Sequence, residues 1–217
     1  MPCGLDFIEI YINEVINGVH DHYINPDEGK WEYTYSERIF EYSVPAKKTI
    51  NQIDEIVNIL KACSYSRRAQ FVTWKAWEDL GVEVKDPACL QRGHFRIINN
   101  KLNANFHMRS NDALKAALLN MIAFTELQKI IADRLGVEVG QYVHIADSFH
   151  IYGSYYEDME KFTKLNKMRT FEKRTYKTKD CIDFFIDGCD ILLKEENMPI
   201  SKKILIEKRK KMWNSMR

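Results

Sequence analysis

No apolar run in these 217 residues approaches the roughly 20 residues that a membrane-spanning helix requires. The first residues carry no basic segment, apolar core and small-residue cleavage site, so no secretory leader is expected. Cysteine is sparse and odd in number: Cys3, Cys63, Cys89, Cys181 and Cys189 form no Cys-x-x-Cys pair. That pattern suits a reducing cytoplasm with buried or reactive thiols rather than a disulfide framework, and no metal site is expected. Net charge is also nearly absent, at +1, which excludes a strong global field; neither nucleic acid nor membrane is an expected partner. There is no low-complexity stretch, no internal repeat and no Gly/Pro-rich linker, which points to one domain over residues 1–217.

What is present is ordinary for a globular chain long enough to bury a core, with 45% hydrophobic and 29% charged residues. The charge is uneven. Residues 201–217 hold seven basic side chains and one acid, leaving residues 1–200 at −5. A solvated, basic C-terminal helix is the expectation there.

Periodicity sets out the elements. Phe7, Ile8, Tyr11, Ile12, Val15, Ile16 and Val19 recur at helical spacing, followed by a turn at residues 25–29. The aromatic stretch from Trp31 to Tyr42 reads as extended or irregular, and Ile50, Ile53, Ile56, Val57 and Leu60 predict a second helix. Strands are expected at Phe71–Trp74 and Phe95–Ile98. An Asn99-Asn100 turn then joins the latter to an alternating strand, Lys101–Met108. A long helix over Ala113–Leu135 stops at Gly136, and a short strand follows at Tyr142–Ile145. Helices are expected over 155–165, 180–195 and 200–213. Central strands with flanking helices make an α+β fold.

Among the cysteines, Cys63 ends an amphipathic segment and Cys181 and Cys189 fall in an apolar helical pattern, so these three are expected in the core, which singles out Cys89. It precedes Arg109-Ser110-Asn111-Asp112 by twenty residues, and Asn120 lies eight beyond Asp112. A thiol is mostly protonated at neutral pH, and a neighbouring guanidinium favours the thiolate. Arg109 and Ser110 suit a phosphate, while the Asn120 amide can read the donor and acceptor edge of a heterocycle. Ser66-Arg67-Arg68 adds two guanidinium forks. Taken alone these are surface arginines, but beside Cys89 and Arg109 they suit an anion.

At this point the sequence resembles the thymidylate synthase family. The resemblance runs through Tyr35 with Arg38, Asn51-Gln52-Ile53, Ser66-Arg67-Arg68 with Trp74, and Pro87-Ala88-Cys89. It continues through Phe95, Arg109-Ser110-Asn111-Asp112 with Asn120, and His150-Ile151-Tyr152. It covers about residues 31–160, looks most like the short archaeal members, and implies a mixed β-sheet flanked by helices in a sheet-to-sheet homodimer. In such a protein Cys89 would add to C6 of dUMP, and Arg109 and Ser110 would bind its 5′-phosphate. Arg67 and Arg68 would complete the partner subunit's phosphate site. Asn120 would read the N3/O4 edge, His150 and Tyr152 would hold the ribose 3′-hydroxyl, and Tyr35 would belong to the network beneath the base. Asp112 would face the pterin of 5,10-methylenetetrahydrofolate, the one-carbon co-substrate.

The chain departs from the family pattern in several places. Leu90 follows the nucleophile where histidine is usual, and His94 stands where glutamine is usual. Ala116 and Leu118 replace a Gly and a Pro, which predicts continuous helix there. The usual N-terminal segment, with its phosphate-loop arginine and catalytic glutamate, has no match, and neither Glu9 nor Glu14 is identified as that glutamate. His94 is the stand-in acid–base group by virtue of an imidazole pKa near neutrality. The resemblance implies methylation of dUMP. Two alternatives stay open: a pyrimidine-nucleotide 5-hydroxymethylase, and a non-catalytic nucleotide-binding dimer of the same fold.

Overall fold

A computed structural model describes residues 4–28, 30–46 and 48–217. Gly29 of the expected turn and Cys3 lie outside the described residues. The elements run α1 (Leu5–Asn17), α2 (Tyr35–Phe40), α3 (Gln52–Ala62), β1 (Gln70–Val72), α4 (Ala76–Asp79), β2 (Leu90–Ile98) and β3 (Lys101–Asp112). They continue with α5 (Ala117–Leu135), β4 (Glu138–His150), α6 (Tyr156–Met168), α7 (Phe171–Arg174), α8 (Ile182–Leu193) and α9 (Ile200–Ser215).

The four strands form one mixed sheet in the order β1-β2-β3-β4. β1 and β3 run antiparallel to β2, and β4 runs parallel to β3 after the α5 crossover. The β2–β3 hairpin closes at Asn99 and Asn100, whose φ of 51° and 58° is the left-handed geometry that asparagine tolerates in tight turns. Alternation then assigns the two faces. Phe71, Phe95, Ala104, Phe106 and Met108 point into the main core with Ile53, Ile56, Phe124 and Leu127 from α3 and α5. The Phe106 ring stacks on that of Phe124 at 4.7 Å between centroids, which fixes α5 over the middle of the sheet. Gly93 lets β2 pass the Phe71 ring, because a side chain at that position would collide with it.

The opposite face carries Arg92, His94, Arg96, Asn105 and His107, together with exposed apolar side chains at Val72, Ile98, Ile145 and Phe149. A second core lies at the chain's end, where Ile182, Cys189 and Leu192 of α8 pack with Ile206 and Trp213 of α9 against Ile10 of α1.

Four expectations need correction. Residues 35–40 are helix, because Thr34 caps α2 by accepting from the N–H of Glu37. The long helix begins at Ala117 instead of Ala113. Asp112 Oδ1 accepts from the N–H groups of Leu114 (2.9 Å) and Lys115 (3.1 Å), so residues 113–116 are turn and not continuous helix. The last strand spans thirteen residues, far beyond Tyr142–Ile145, because β3 offers it a long parallel edge. The basic C-terminal helix is also more than a solvated face. Arg209 binds the fully buried Glu9 and reaches Glu126 at 2.9 Å, tying α9 to α1 and α5.

Candidate active site

Cys89 lies immediately before β2, and Arg109 is on β3 beside it. The Arg109 N–H donates to the Cys89 carbonyl at 2.9 Å, so strand pairing itself sets these two residues side by side. The register shifts between Leu90 and Arg92, leaving Gln91 as an extra residue. Such a bulge re-aims the chain at the end of a ladder. Arg109 then donates from Nε to the Ala88 carbonyl at 3.1 Å and from Nη2 to the Pro87 carbonyl, and that same nitrogen lies 3.7 Å from Cys89 Sγ.

The turn that carries the thiol is braced from beneath. Asp79 Oδ1 accepts from the Ala88 N–H at 3.1 Å, and Asp79 is paired with the buried Arg38 at 3.1 Å. Lys75, also buried, donates its backbone N–H to Asp79 and its ammonium to Glu37 at 2.7 Å. Tyr33 closes the other side, its hydroxyl accepting from the Cys89 N–H at 3.2 Å.

Burial pushes the Cys89 thiol above its ordinary value. Arg109 opposes this, Asp86 adds to it, and a hydrogen bond with Tyr33 lowers it. Burial wins, so the thiol is held protonated near neutral pH.

Because β3 and β4 are parallel, their C-terminal ends meet, pairing Ser110 with Ser148 and Asp112 with His150. His150 Nδ1 lies 3.2 Å from Ser148 Oγ, and its ring meets the exposed Tyr152 edge-on at 4.9 Å. Cys89, Arg109, Ser110, Asp112, His150 and Tyr152 therefore come from one end of the sheet. One Asp112 oxygen is occupied by the turn that precedes α5.

A cleft of about 570 Å³ opens beside the thiol's turn, walled by Tyr11, Glu14, Trp31, Tyr33, Tyr35 and Asp86. Tyr35 packs against Tyr33 and Phe124, at 5.7 and 5.9 Å between centroids, and burial drives its pKa well up. Asn120 is only 2% exposed. Its Oδ1 accepts from the Tyr11 hydroxyl at 2.5 Å, and its Nδ2 donates to Asn111 Oδ1 at 3.1 Å.

The remaining residues stand elsewhere. Arg67 and Arg68 are exposed just ahead of β1, and His94 Nε2 lies 3.3 Å from the Arg67 carbonyl. His94 is on the sheet face opposite Phe95 and five residues along the chain from Cys89, so the structure does not bring it to the thiol.

Comparison with known proteins places this arrangement in a family. A thymidylate synthase family profile matches residues 11–195. The chain belongs to the thymidylate synthase family. It is 38% identical over 154 residues to a protein of Methanocaldococcus jannaschii named "Putative thymidylate synthase", a match covering 70% of this chain and 65% of that one. Proteins of the same name from Methanothermobacter thermautotrophicus and Methanosarcina acetivorans are 29% and 27% identical over 151 and 157 residues. Those matches cover 70% and 72% of this chain, and 65% and 66% of the relatives. The chain thus spans just under two thirds of the length of these curated relatives.

Residues that the family resemblance did not flag also shape the site. Tyr11 was submerged in the apolar stripe of α1, where an aromatic reads as core. His144 was submerged in a strand, where only its alternation with Tyr142 signalled an inward position, and Asn111, quoted in the resemblance without a role, is buried out of step with the Leu102–Met108 alternation. Glu14 lines the cleft with Tyr11, whereas Glu9 is turned away and committed to Arg209 and Asn13.

Proposed function

We propose that the protein is a thymidylate synthase-type methyltransferase that converts dUMP to dTMP, using a free thiol in a reducing cytoplasm. The observation that carries this is the 3.7 Å approach of Arg109 Nη2 to Cys89 Sγ at the sheet end that also holds Ser110, Asp112 and His150. In this reading Cys89 gives up its proton to solvent water, and its sulfur then adds as the thiolate to C6 of the uracil ring. The C5=C6 electron pair moves toward O4, and C5 becomes a carbon nucleophile. Arg109 favours the thiolate and binds the 5′-phosphate with Ser110. His150 and Tyr152 hold the ribose 3′-hydroxyl.

The co-substrate 5,10-methylenetetrahydrofolate supplies the one-carbon unit and, for methylation, the hydride, leaving as dihydrofolate. Its residues here are Asp112 and the neighbouring hollow of about 650 Å³, floored by Leu114, Leu118 and Phe162 and rimmed by Lys115, Lys161 and Arg169. An apolar floor with a cationic rim suits an aromatic ring system carrying carboxylates. The partner is a second copy of the chain. The uncovered sheet face, with Val72, Ile98, Ile145 and Phe149 exposed, supports sheet-to-sheet pairing, which would carry Arg67 and Arg68 to the partner's phosphate site.

The test is product analysis after incubation with dUMP and methylenetetrahydrofolate. dTMP with dihydrofolate is the expected outcome. Hydroxymethyl-dUMP without dihydrofolate would replace methylation with hydroxymethylation. Nucleotide binding without any product would overturn the enzyme reading.

A further inference from the structure

His20 joins the wall of the cleft to the C-terminal helices through two carboxylates. Gly18, at φ 60°, ends α1 and turns the chain, and the fully buried Val19 then enters the second core with Leu192 of α8. That turn sets His20 between Glu14 of α1 and Glu195, two residues past α8. His20 Nδ1 lies 2.7 Å from Glu14 Oε1, and its Nε2 lies 3.2 Å from each oxygen of Glu195. The residue is only 8% exposed.

Two ring nitrogens that each face a carboxylate need two protons. A neutral ring has one, and whichever nitrogen holds it, the other turns a lone pair toward a carboxylate. Imidazole is more basic than a glutamate carboxyl by about two pH units, so both protons belong on the ring. With both contacts made, His20 is therefore an imidazolium, and no choice of tautomer enters.

Among the described residues, Glu14 faces the ring from α1 and Glu195 from beyond α8. His22 and Tyr23 face it from its own segment, at 6.4 and 5.2 Å between ring centroids, and the uncharged Trp31 ring meets it edge-on at 5.9 Å. The neighbouring Asp21 is engaged by the Thr34 hydroxyl at 2.5 Å and by Lys202 of α9 at 3.7 Å. Burial works against the charge on His20, but Glu14 and then Glu195 outweigh it and raise the pKa above the ordinary imidazole value.

The consequence lies at the cleft, because Glu14 and Trp31 both line it and both meet His20. We propose that His20 is a positioning residue, a protonated clamp that holds this wall of the cleft to the end of α8 and opens when one ring proton leaves. Whichever contact keeps the remaining proton, the other sets a lone pair against a carboxylate, and the bridge from Glu14 to Glu195 is cut. The raised pKa gives the sign. The clamp's contribution is complete below the ordinary imidazole value of about 6.5 and is lost as pH rises through the raised His20 range. The clamp works in the same way whatever the cleft binds.

The experiment takes two readings on the full chain. NMR of protein with labelled histidine follows the six imidazoles against pH, and His20→Gln identifies the His20 signal. Its midpoint should lie above about 6.5 and drop in both Glu14→Gln and Glu195→Gln. A midpoint at or below about 6.5 in wild type overturns the imidazolium. Amide hydrogen exchange, corrected for its intrinsic pH dependence, then compares residues 18–28 and 190–196 at about pH 6 and about pH 9. Wild-type protection should fall at the higher pH, by up to about tenfold for each pH unit that separates the measured midpoint from about 6.5. His20→Gln should be weakly protected at both, and Glu195→Gln, altered at a part-exposed side chain, gives the same reading if His20→Gln does not fold. Protection that does not change with pH in wild type, or that falls equally in the variants, overturns the clamp.

Discussion

Replacing Arg109 by Gln removes the cation that, among the described residues, acts on Cys89, and the structure sets the size of the effect. At 3.7 Å, Coulomb attraction between guanidinium and thiolate is about 4 kcal/mol at an effective dielectric of about 20, and about 1 kcal/mol in bulk water. Cys89 is half-buried, so the true value lies between, equivalent to roughly one to three pH units. Burial already outweighs Arg109 and holds the thiol above its ordinary value. Loss of the arginine should therefore move the titration further up, by about one pH unit or more.

The assay is alkylation of Cys89 as a function of pH, read at the peptide level because Cys63 is also half-exposed. The profile midpoint is the informative quantity. A thiolate of higher pKa is intrinsically more nucleophilic, with a Brønsted slope of about 0.4–0.5. The rate at one fixed pH therefore falls only about three- to fourfold for each pH unit by which the midpoint rises. Arg109→Lys retains charge while losing the forked bonds to Pro87 and Ala88, and its midpoint should fall between the other two. A midpoint that stays put in Arg109→Gln would refute the assignment of Arg109 as the thiol's electrostatic partner.

Three further outcomes follow from the same geometry. Asp79→Asn removes one carboxylate from the buried Arg38, which keeps Glu37 and Glu78, and weakens the brace under Ala88. It should cost about 1–3 kcal/mol in denaturant unfolding and change Cys89 alkylation, whereas a loss below about 0.5 kcal/mol would show the brace to be incidental. Arg209→Met strands Glu9 in the core and should cost about 3–5 kcal/mol, mostly regained in the Arg209→Met, Glu9→Leu double variant; no recovery would mean that Arg209 stabilises by other contacts. Mixing Cys89→Ala with Arg67→Ala subunits should restore part of the activity through heterodimers with one intact site, and no recovery with heterodimers present would remove Arg67 from the partner's site.

Much of the fold was legible because its signals are local. The Asn99-Asn100 turn between two alternating runs specifies a hairpin, and the apolar faces of α1, α3 and α5 specify what they cover. The segments that depart from expectation are those where one polar contact decides. Thr34 with Glu37 starts a helix inside a run of aromatics, and the Asp112 carboxylate holds four residues out of α5. The length of β4 depends on β3 as a partner, a non-local fact that the short apolar stretch around Tyr142 does not carry.

The site divides in the same way. Cys89 and Arg109 lie twenty residues apart in sequence, yet strand pairing makes them neighbours, and their spacing is the signal of it. Tyr11 and Asn120 are 109 residues apart and touch only because α1 packs on α5. No periodicity marks a helix tyrosine as the one whose hydroxyl meets a buried amide. His94 has suitable chemistry and lies near Cys89 in sequence, but period-two alternation puts it on the other face of β2 from Phe95.

The central claim is that Cys89 activates the pyrimidine by adding to C6, and the most direct measurement follows hydrogen at C5. Addition at C6 makes C5 nucleophilic, and joining the one-carbon unit there requires the C5 hydrogen to leave. With dUMP deuterated at C5 and methylenetetrahydrofolate present, wild type should release the label into water. Cys89→Ala should bind dUMP and release none. Label release by Cys89→Ala at the wild-type rate would contradict the account.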